Sequence, residues 1–325
     1  MTVERAYGEY TDFRIPGIVA TERGSLVRYC ECRRGTSDWA SIDIKVSRSE
    51  DGGASWETVL LLEGGGHTLN NPVMIADGGR LVFLYCKNYK ELWRCVSEDD
   101  GKSFTAPERV CFEESAPLPF TVVAVGPGHG ITHGGRLLVP VWFAYNEQNE
   151  KAHSPSFIAT LYSSDRGEHW QVGEVICKEA LKNPSECALA LTAEGEVLIS
   201  IRHEGEQRTR ALARSADGIS AWHGLRFEEN LCDPICMGSM THRDGVIYHS
   251  NCDSAAGRRN LTVKISSDGF KSFRGIPVSK LGGYSDIALL GDTLCVLYEK
   301  TVPNENGSDF PPAKPFELFF EKIKI

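Results

Sequence analysis

Several common signals are missing from this chain of 325 residues. No apolar stretch approaches the length of a membrane span, and Met1-Thr2-Val3-Glu4-Arg5 opens without the apolar run of an export signal, so a cytoplasmic location is expected. No run of five or six like charges marks an interaction tail. The formal net charge of −9 argues against nucleic acid and against an anionic membrane as partners, although a local arginine cluster can still hold an anionic substrate. No long 3.6-residue periodicity is visible, so helix is predicted to be scarce. The nine histidines contain no HExxH or paired ligand spacing, and the 11 cysteines are scattered without zinc-site spacing, so neither a metal nor another cofactor is predicted. Cys30 and Cys32, and Cys232 and Cys236 around Asp233-Pro234, read as small core residues in a reducing compartment. Gly64-Gly65-Gly66 and Gly126-Pro127-Gly128 read as turns and not phosphate loops, because no helix follows them.

What is present is a repeat. Ser49-Glu50-Asp51-Gly52-Gly53-Ala54-Ser55-Trp56 returns as Ser97 to Phe104 and as Ser163 to Trp170. Two altered copies follow: Ser215-Ala216-Asp217-Gly218 reaches Trp222 with Ile219 where glycine is expected, and Ser266-Ser267-Asp268-Gly269 reaches Phe273 with Phe270 there. Ser and Asp side chains bond local backbone, glycine supplies a positive φ, and the aromatic ring tucks under the turn. A spacing of about fifty residues suits one four-stranded propeller blade.

Between the copies lie short apolar runs rich in β-branched residues, such as Leu81 to Tyr85, Leu137 to Trp142 and Val197 to Ile201, which read as strands. The predicted fold is therefore all-β, a six-bladed β-propeller occupying residues 1–325 as a single domain. The segment Phe316 to Ile323 reads as a last strand that closes the ring beside the N-terminal segment, and the Pro-rich segment Glu305 to Pro315 as a surface loop. Such repeats occur on enzymes, receptors and assembly factors, so the site has to decide the function.

The repeat is the Asp-box, or BNR, motif, and with other motifs in order it makes the chain resemble the sialidases of the bacterial and animal type over nearly its full length. Phe13-Arg14-Ile15-Pro16 is similar to the family's (F/Y)RIP motif, and Glu31 to Trp39 resembles the stretch bearing its acid/base aspartate. Gly126 to Gly130 followed by Gly135-Arg136-Leu137 resembles the GPG…GRL segment. Glu186 with Arg202 is similar to the Glu…Arg pair, Arg258-Arg259-Asn260-Leu261-Thr262 to the third-arginine segment, Gly283-Tyr284-Ser285-Asp286 to the nucleophile segment, and Leu297-Tyr298-Glu299 to a late Tyr-Glu motif. The resemblance implies Arg14, Arg202 and Arg258 as holders of the substrate carboxylate, with Arg259 the competitor of Arg258 because only one of them can face a site from a strand. It implies Tyr284 as nucleophile, Glu186 as its base and Asp38 as acid/base, with Asp43 the nearby competitor of Asp38. It further implies Arg33 near the sugar's 4-hydroxyl and Glu299 as an ion-pair brace for Arg14.

The chemistry is consistent with these residue types. A sialic acid carries its carboxylate on the anomeric carbon, and fixed guanidiniums hold such a group with bidentate bonds. A carboxylate nucleophile would be repelled there. A neutral phenol avoids the repulsion if a base takes its proton during attack, as in the tyrosine exception to two-carboxylate glycosidases. The expected function is retaining hydrolysis of terminal α-linked sialic acid from a glycoconjugate. One alternative is action on a related ulosonic acid (a deaminated sialic acid or Kdo), or transfer or internal cyclisation of the sugar in place of hydrolysis. The other is a non-catalytic Asp-box propeller that binds glycans or proteins.

Overall fold

A computed structural model describes residues 2–176, 179–310 and 312–325. Apart from one short 3-10 turn at Glu113–Ser115, the regular structure among them is β, in six small sheets of four or five strands. In chain order the first strands of blades one to five are Asp12–Ala20, Leu69–Asp77, Val122–Val125, Cys187–Leu191 and Ser239–Arg243, and Gly128–His129 pairs parallel on the inner side of Leu69–Asp77. Blade six begins with Ser285–Leu290, continues through Thr293–Lys300 and Glu317–Lys324, and takes its outermost strand, Thr2–Glu4, from the other end of the chain. Val3 pairs with Phe319, and Glu4 is bound by Arg28 of blade one at 2.7 Å.

The blades form a ring because their inner strands are buried on both faces. Leu26–Arg33 and Ile42–Ser49 are buried along their whole length, whereas the outer strand Arg274–Leu281 has no buried residue. The apolar clusters fall in the seams between neighbours. Val82 and Val139 share a cluster between blades two and three, and Leu212 and Met240 one between blades four and five. Ile18 and Leu26 of blade one share another with Leu297 and Phe320 of blade six, which closes the circle. A blade removed from the ring would expose both of its faces to water.

The five Asp boxes occupy one position each in blades one to five, the turn between third and fourth strands. Asp51 Oδ1 accepts the Ser55 N–H at 2.9 Å, and the Gly53 N–H donates to Ser49 Oγ at 2.8 Å. The altered copies keep this wiring: Ser272 N–H reaches Asp268 Oδ1 at 3.0 Å, and Ser220 N–H reaches Asp217 Oδ1 at 2.9 Å. Phe270 takes φ +71° where Gly53 has +85°, and its N–H still donates to Ser266 Oγ at 2.9 Å. Its ring is fully buried in the seam against blade four.

The ten described cysteines are free, and eight of them are buried; Cys177 lies outside the described residues. Of the Pro-rich loop, Pro311 also lies outside them.

Candidate active site

Strands alternate in direction, so the ends of second strands and the starts of third strands share one rim, opposite the Asp-box turns. That rim surrounds a cavity of about 310 Å³ at the centre of the ring. Among its lining residues are Arg14, Arg33, Asp38, Glu186, Arg202, Arg258 and Tyr284.

The first arginine is placed by a bulge. Arg14 pairs with Glu31 and Gly17 with Tyr29, so Ile15 and Pro16 together oppose the single residue Cys30, which makes one extra residue on this strand. Ile15 sits at φ +54°, a costly conformation for a β-branched residue, and its N–H donates to Glu299 Oε2 at 3.3 Å. Gly17 is required next: a Cβ there would lie 1.9 Å from the Tyr29 ring. The bulge aims Arg14 into the cavity, where Nη2 and Nε meet the two oxygens of Glu299 at 2.8 and 3.2 Å.

Arg258 stands just before the third strand of blade five, and its Nη1 reaches the same Glu299 Oε1 at 3.2 Å. Glu299 thus braces two guanidiniums, one more than the sequence suggested. Burial alone would raise its pKa, but Arg14 and Arg258 outweigh burial and hold it below the ordinary carboxylate value. Arg259 points elsewhere, to Asp309 Oδ1 at 2.9 Å.

Arg202 follows the second strand of blade four and binds Glu186 through Nη1. The same nitrogen donates to Tyr284 OH at 2.8 Å, and Tyr284 OH donates to Glu186 Oε1. The Tyr284 ring lies 5.5 Å from Arg14 Cζ and 5.0 Å from Arg258 Cζ, so all three arginines surround one phenol. Burial, then the negative charge of Glu186, push the Tyr284 pKa up, against the pull of Arg202 and Arg258. The phenol is therefore neutral at ordinary pH and already bonded to a carboxylate that can take its proton.

Asp38 also lines the cavity, its side chain 46% exposed, with Oδ1 2.8 Å from Arg33 Nη1. Burial favours its neutral form, but Arg33 and then Arg14 pull the pKa below the ordinary value. Arg33 is itself fixed by Glu31, whose Oε2 lies 2.8 Å from Nε and 2.6 Å from Nη2. Asp43 lies away from the cavity, bound by Tyr10 OH and Arg34 Nη2, each at 2.7 Å. Among the described residues no group of three or more His, Cys, Asp or Glu side chains is arranged to hold a metal ion.

The cavity has residues that the sequence reading passed over. Trp142, His153 and Tyr89 form an aromatic wall with Trp39 behind it, the Trp39 and Tyr89 rings 4.7 Å apart and those of Trp142 and His153 5.2 Å apart. Burial lowers the His153 pKa, so the imidazole is neutral. No signal separates Trp142 from a core residue, since it lies within the apolar strand Arg136–Ala144. Asn71 did have one. Asn70-Asn71-Pro72 repeats the Arg14-Ile15-Pro16 step at the start of the next blade, with the same bulge and with φ +52° at Asn71. Its N–H donates to Glu31 Oε1 at 2.9 Å.

Comparison with known proteins agrees with this architecture. The profile of the BNR repeat-like domain family matches residues 29–292. A sialidase from Bacteroides fragilis is 26% identical over 341 residues, covering 89% of this chain and 60% of its own length. The chain thus spans less than two thirds of that relative. The structure of the Hadza microbial sialidase Hz136 superposes with a TM-score of 0.81 at 22% identity, over 99% of this chain and 68% of that one. A leech intramolecular trans-sialidase complexed with 2,7-anhydro-Neu5Ac gives a TM-score of 0.78 at 17% identity, over 100% and 70%. At such identities the two structures establish a common fold.

Proposed function

This chain belongs to the sialidase family of BNR-repeat proteins, and we propose that it is a retaining exo-α-sialidase acting on terminal α-linked sialic acid of a glycoconjugate. The observation that carries the reading is Tyr284, bonded at once to Glu186 and Arg202 and flanked by Arg14 and Arg258. Arg14, Arg202 and Arg258 hold the substrate carboxylate, which sets the anomeric carbon beside the phenol. The Tyr284 oxygen attacks that carbon while its proton passes to Glu186. Asp38 gives a proton to the departing glycosidic oxygen. An aryl ketal joining the anomeric carbon to the Tyr284 oxygen remains. Asp38, now a carboxylate, takes a proton from water, the hydroxyl attacks from the side the aglycone left, and Tyr284 departs with the proton returned by Glu186. Two inversions leave the configuration unchanged. Arg33 adjoins Asp38 and is placed to bond a ring hydroxyl.

Asp38 has to be protonated for the first step, although Arg33 and Arg14 favour its charge. Binding of an anionic substrate sets a negative charge beside Arg14, which offsets that attraction and raises the proton affinity of Asp38.

The test is turnover of an aryl α-sialoside followed by NMR, with Tyr284→Phe as the control. The α-anomer of free sialic acid is expected as the first product, and the variant should lose on the order of a thousandfold in kcat. An anhydro sugar in its place would replace hydrolysis by internal cyclisation. Full activity in Tyr284→Phe would refute the nucleophile assignment.

A further inference from the structure

The longest of the six connections between second and third strands is residues 301–316 in blade six, and it brings Phe310 back over the cavity. Five large apolar side chains are markedly exposed among the described residues, and Phe310, at 46%, is the one among them that lines the cavity. Its ring centroid lies 4.6 Å from Arg258 Cζ and 5.6 Å from Arg14 Cζ. Phe316 supports it from below, 5.9 Å away and 4.2 Å from Arg14 Cζ. The loop is tied down beside the ring. Asp309 accepts the Arg258 backbone N–H at 2.8 Å through Oδ2 and binds Arg259 Nη1 at 2.9 Å through Oδ1.

A guanidinium is weakly hydrated on its faces and bonds through its edge. With Phe316 4.2 Å from Arg14 Cζ and Phe310 4.6 Å from Arg258 Cζ, a ring covers one side of each guanidinium, and an anion has to meet the N–H groups from the sides left free. A hydrocarbon ring above them also removes water, which strengthens a charge pair and lowers its sensitivity to salt. An apolar side chain held half in solvent by a dedicated ion pair calls for such a reason.

We propose that Phe310 is a specificity-determining cover over the carboxylate end of the cavity, latched by Asp309 to Arg259, which dries and orients the guanidiniums of Arg14 and Arg258. The substrate class follows from this position: a compact carboxylate attached directly to a ring carbon fits beneath the cover, and an uncharged glycoside gains nothing from it. The inference rests on the sialidase reading for its choice of ligand, while the shielding of the arginines stands apart from that reading.

Two measurements on the full chain test it. The first needs no substrate: the rate at which phenylglyoxal labels Arg14 and Arg258, followed by peptide mass spectrometry. Phe310→Ala should speed labelling several-fold, Phe310→Trp should restore protection, and Asp309→Asn, which keeps the ring but loosens the latch, should fall between. The second is the KM for an aryl α-sialoside against salt. Phe310→Ala should raise KM roughly three- to tenfold, more steeply as sodium chloride increases, with the loss falling on KM and not on kcat. Unchanged labelling and unchanged KM in Phe310→Ala would overturn the cover. A fall in kcat with KM unmoved would overturn it too, because the ring would then act at the reacting carbon. If the wild-type chain cleaves no sialoside while labelling still depends on Phe310, the sialidase reading fails and the cover stands.

Discussion

Asp99, in the Asp-box turn of blade two, takes its hydrogen bonds from Ser97, Lys102 and Ser103, all within four positions of it. Glu299, buried behind the cavity's arginines, takes its side-chain bonds from Arg14 and Arg258, 285 and 41 positions away, and backbone bonds from Ile15 and Tyr284. Both are carboxylates held in their charged form by donors. In the turn the donors come with the segment, and water is at hand if one is lost. In the cavity they arrive only when the ring has closed, and nothing replaces them. The turn is thus a self-contained local unit, and the cavity is a property of the whole ring.

The contrast is sharpest for activity at the two aspartates near the second strand of blade one. Asp38→Asn should lower kcat roughly a hundred- to ten-thousandfold on a sialoside with a poor leaving group, and less on an activated aryl sialoside. Asp43→Asn should leave kcat close to wild type, because Asp43 faces Tyr10 and Arg34 and not the cavity. Steady-state kinetics on both substrates decides it, and equal losses in the two variants would erase the distinction.

Glu299→Gln comes next. It leaves two buried guanidiniums sharing a neutral amide, so the fold should lose about 3 kcal/mol, read by denaturant titration, and KM should rise with it. The matching change in the turn, Asp99→Ala, should cost about 1 kcal/mol, comparable to loss of a helix cap, with kinetics unchanged. A larger loss at Asp99 than at Glu299 would reverse the comparison.

Acidity should sharpen it further. Bonds from Ser103 hold the Asp99 pKa at about 2, and bonds from Ser272 do the same for Asp268, each below an ordinary 3.8. A lowered folded pKa contributes stability above the unfolded value and loses it as pH falls through the folded one. The box contribution should therefore persist to about pH 4 and fade towards pH 2, a small effect for such exposed groups. For Asp38 the lowered pKa belongs to the free enzyme, so the alkaline limb of kcat/KM should lie at lower pH than that of kcat. Coincident limbs would remove the role given to the substrate's own charge.

The same division decided what could be read from the chain. The Asp boxes were legible because each is a short string whose hydrogen bonds close within it, and their spacing led to six blades. Arg14 was partly legible as a stiff Arg-X-Pro step; the bulge and the left-handed Ile15 give that step its meaning. The convergence of Glu186, Arg202 and Tyr284 was not derivable from spacing, since Tyr284 is 98 positions from Glu186. Resemblance to a family supplied it. The choice between Arg258 and Arg259 needed coordinates, because it turns on which way one strand end faces. Trp142 and His153 carried no mark at all: an aromatic ring within an apolar strand, or an imidazole in a loop, has the same letters whether it meets a seam or a cavity.

Phe270 has a consequence for modularity. In blade one the space beside Gly53 is taken by a visitor, Phe320 of blade six, whose ring comes within 2.3 Å of where a Cβ would stand. In blade five the turn sends its own phenyl group outward to fill the corresponding gap. Blades one and five are therefore plug and socket of opposite sense. Transplanting blade five behind blade six would set two rings in one hole, and moving blade one behind blade four would leave that hole empty, so these units cannot be exchanged as spare parts even though their turns are wired alike.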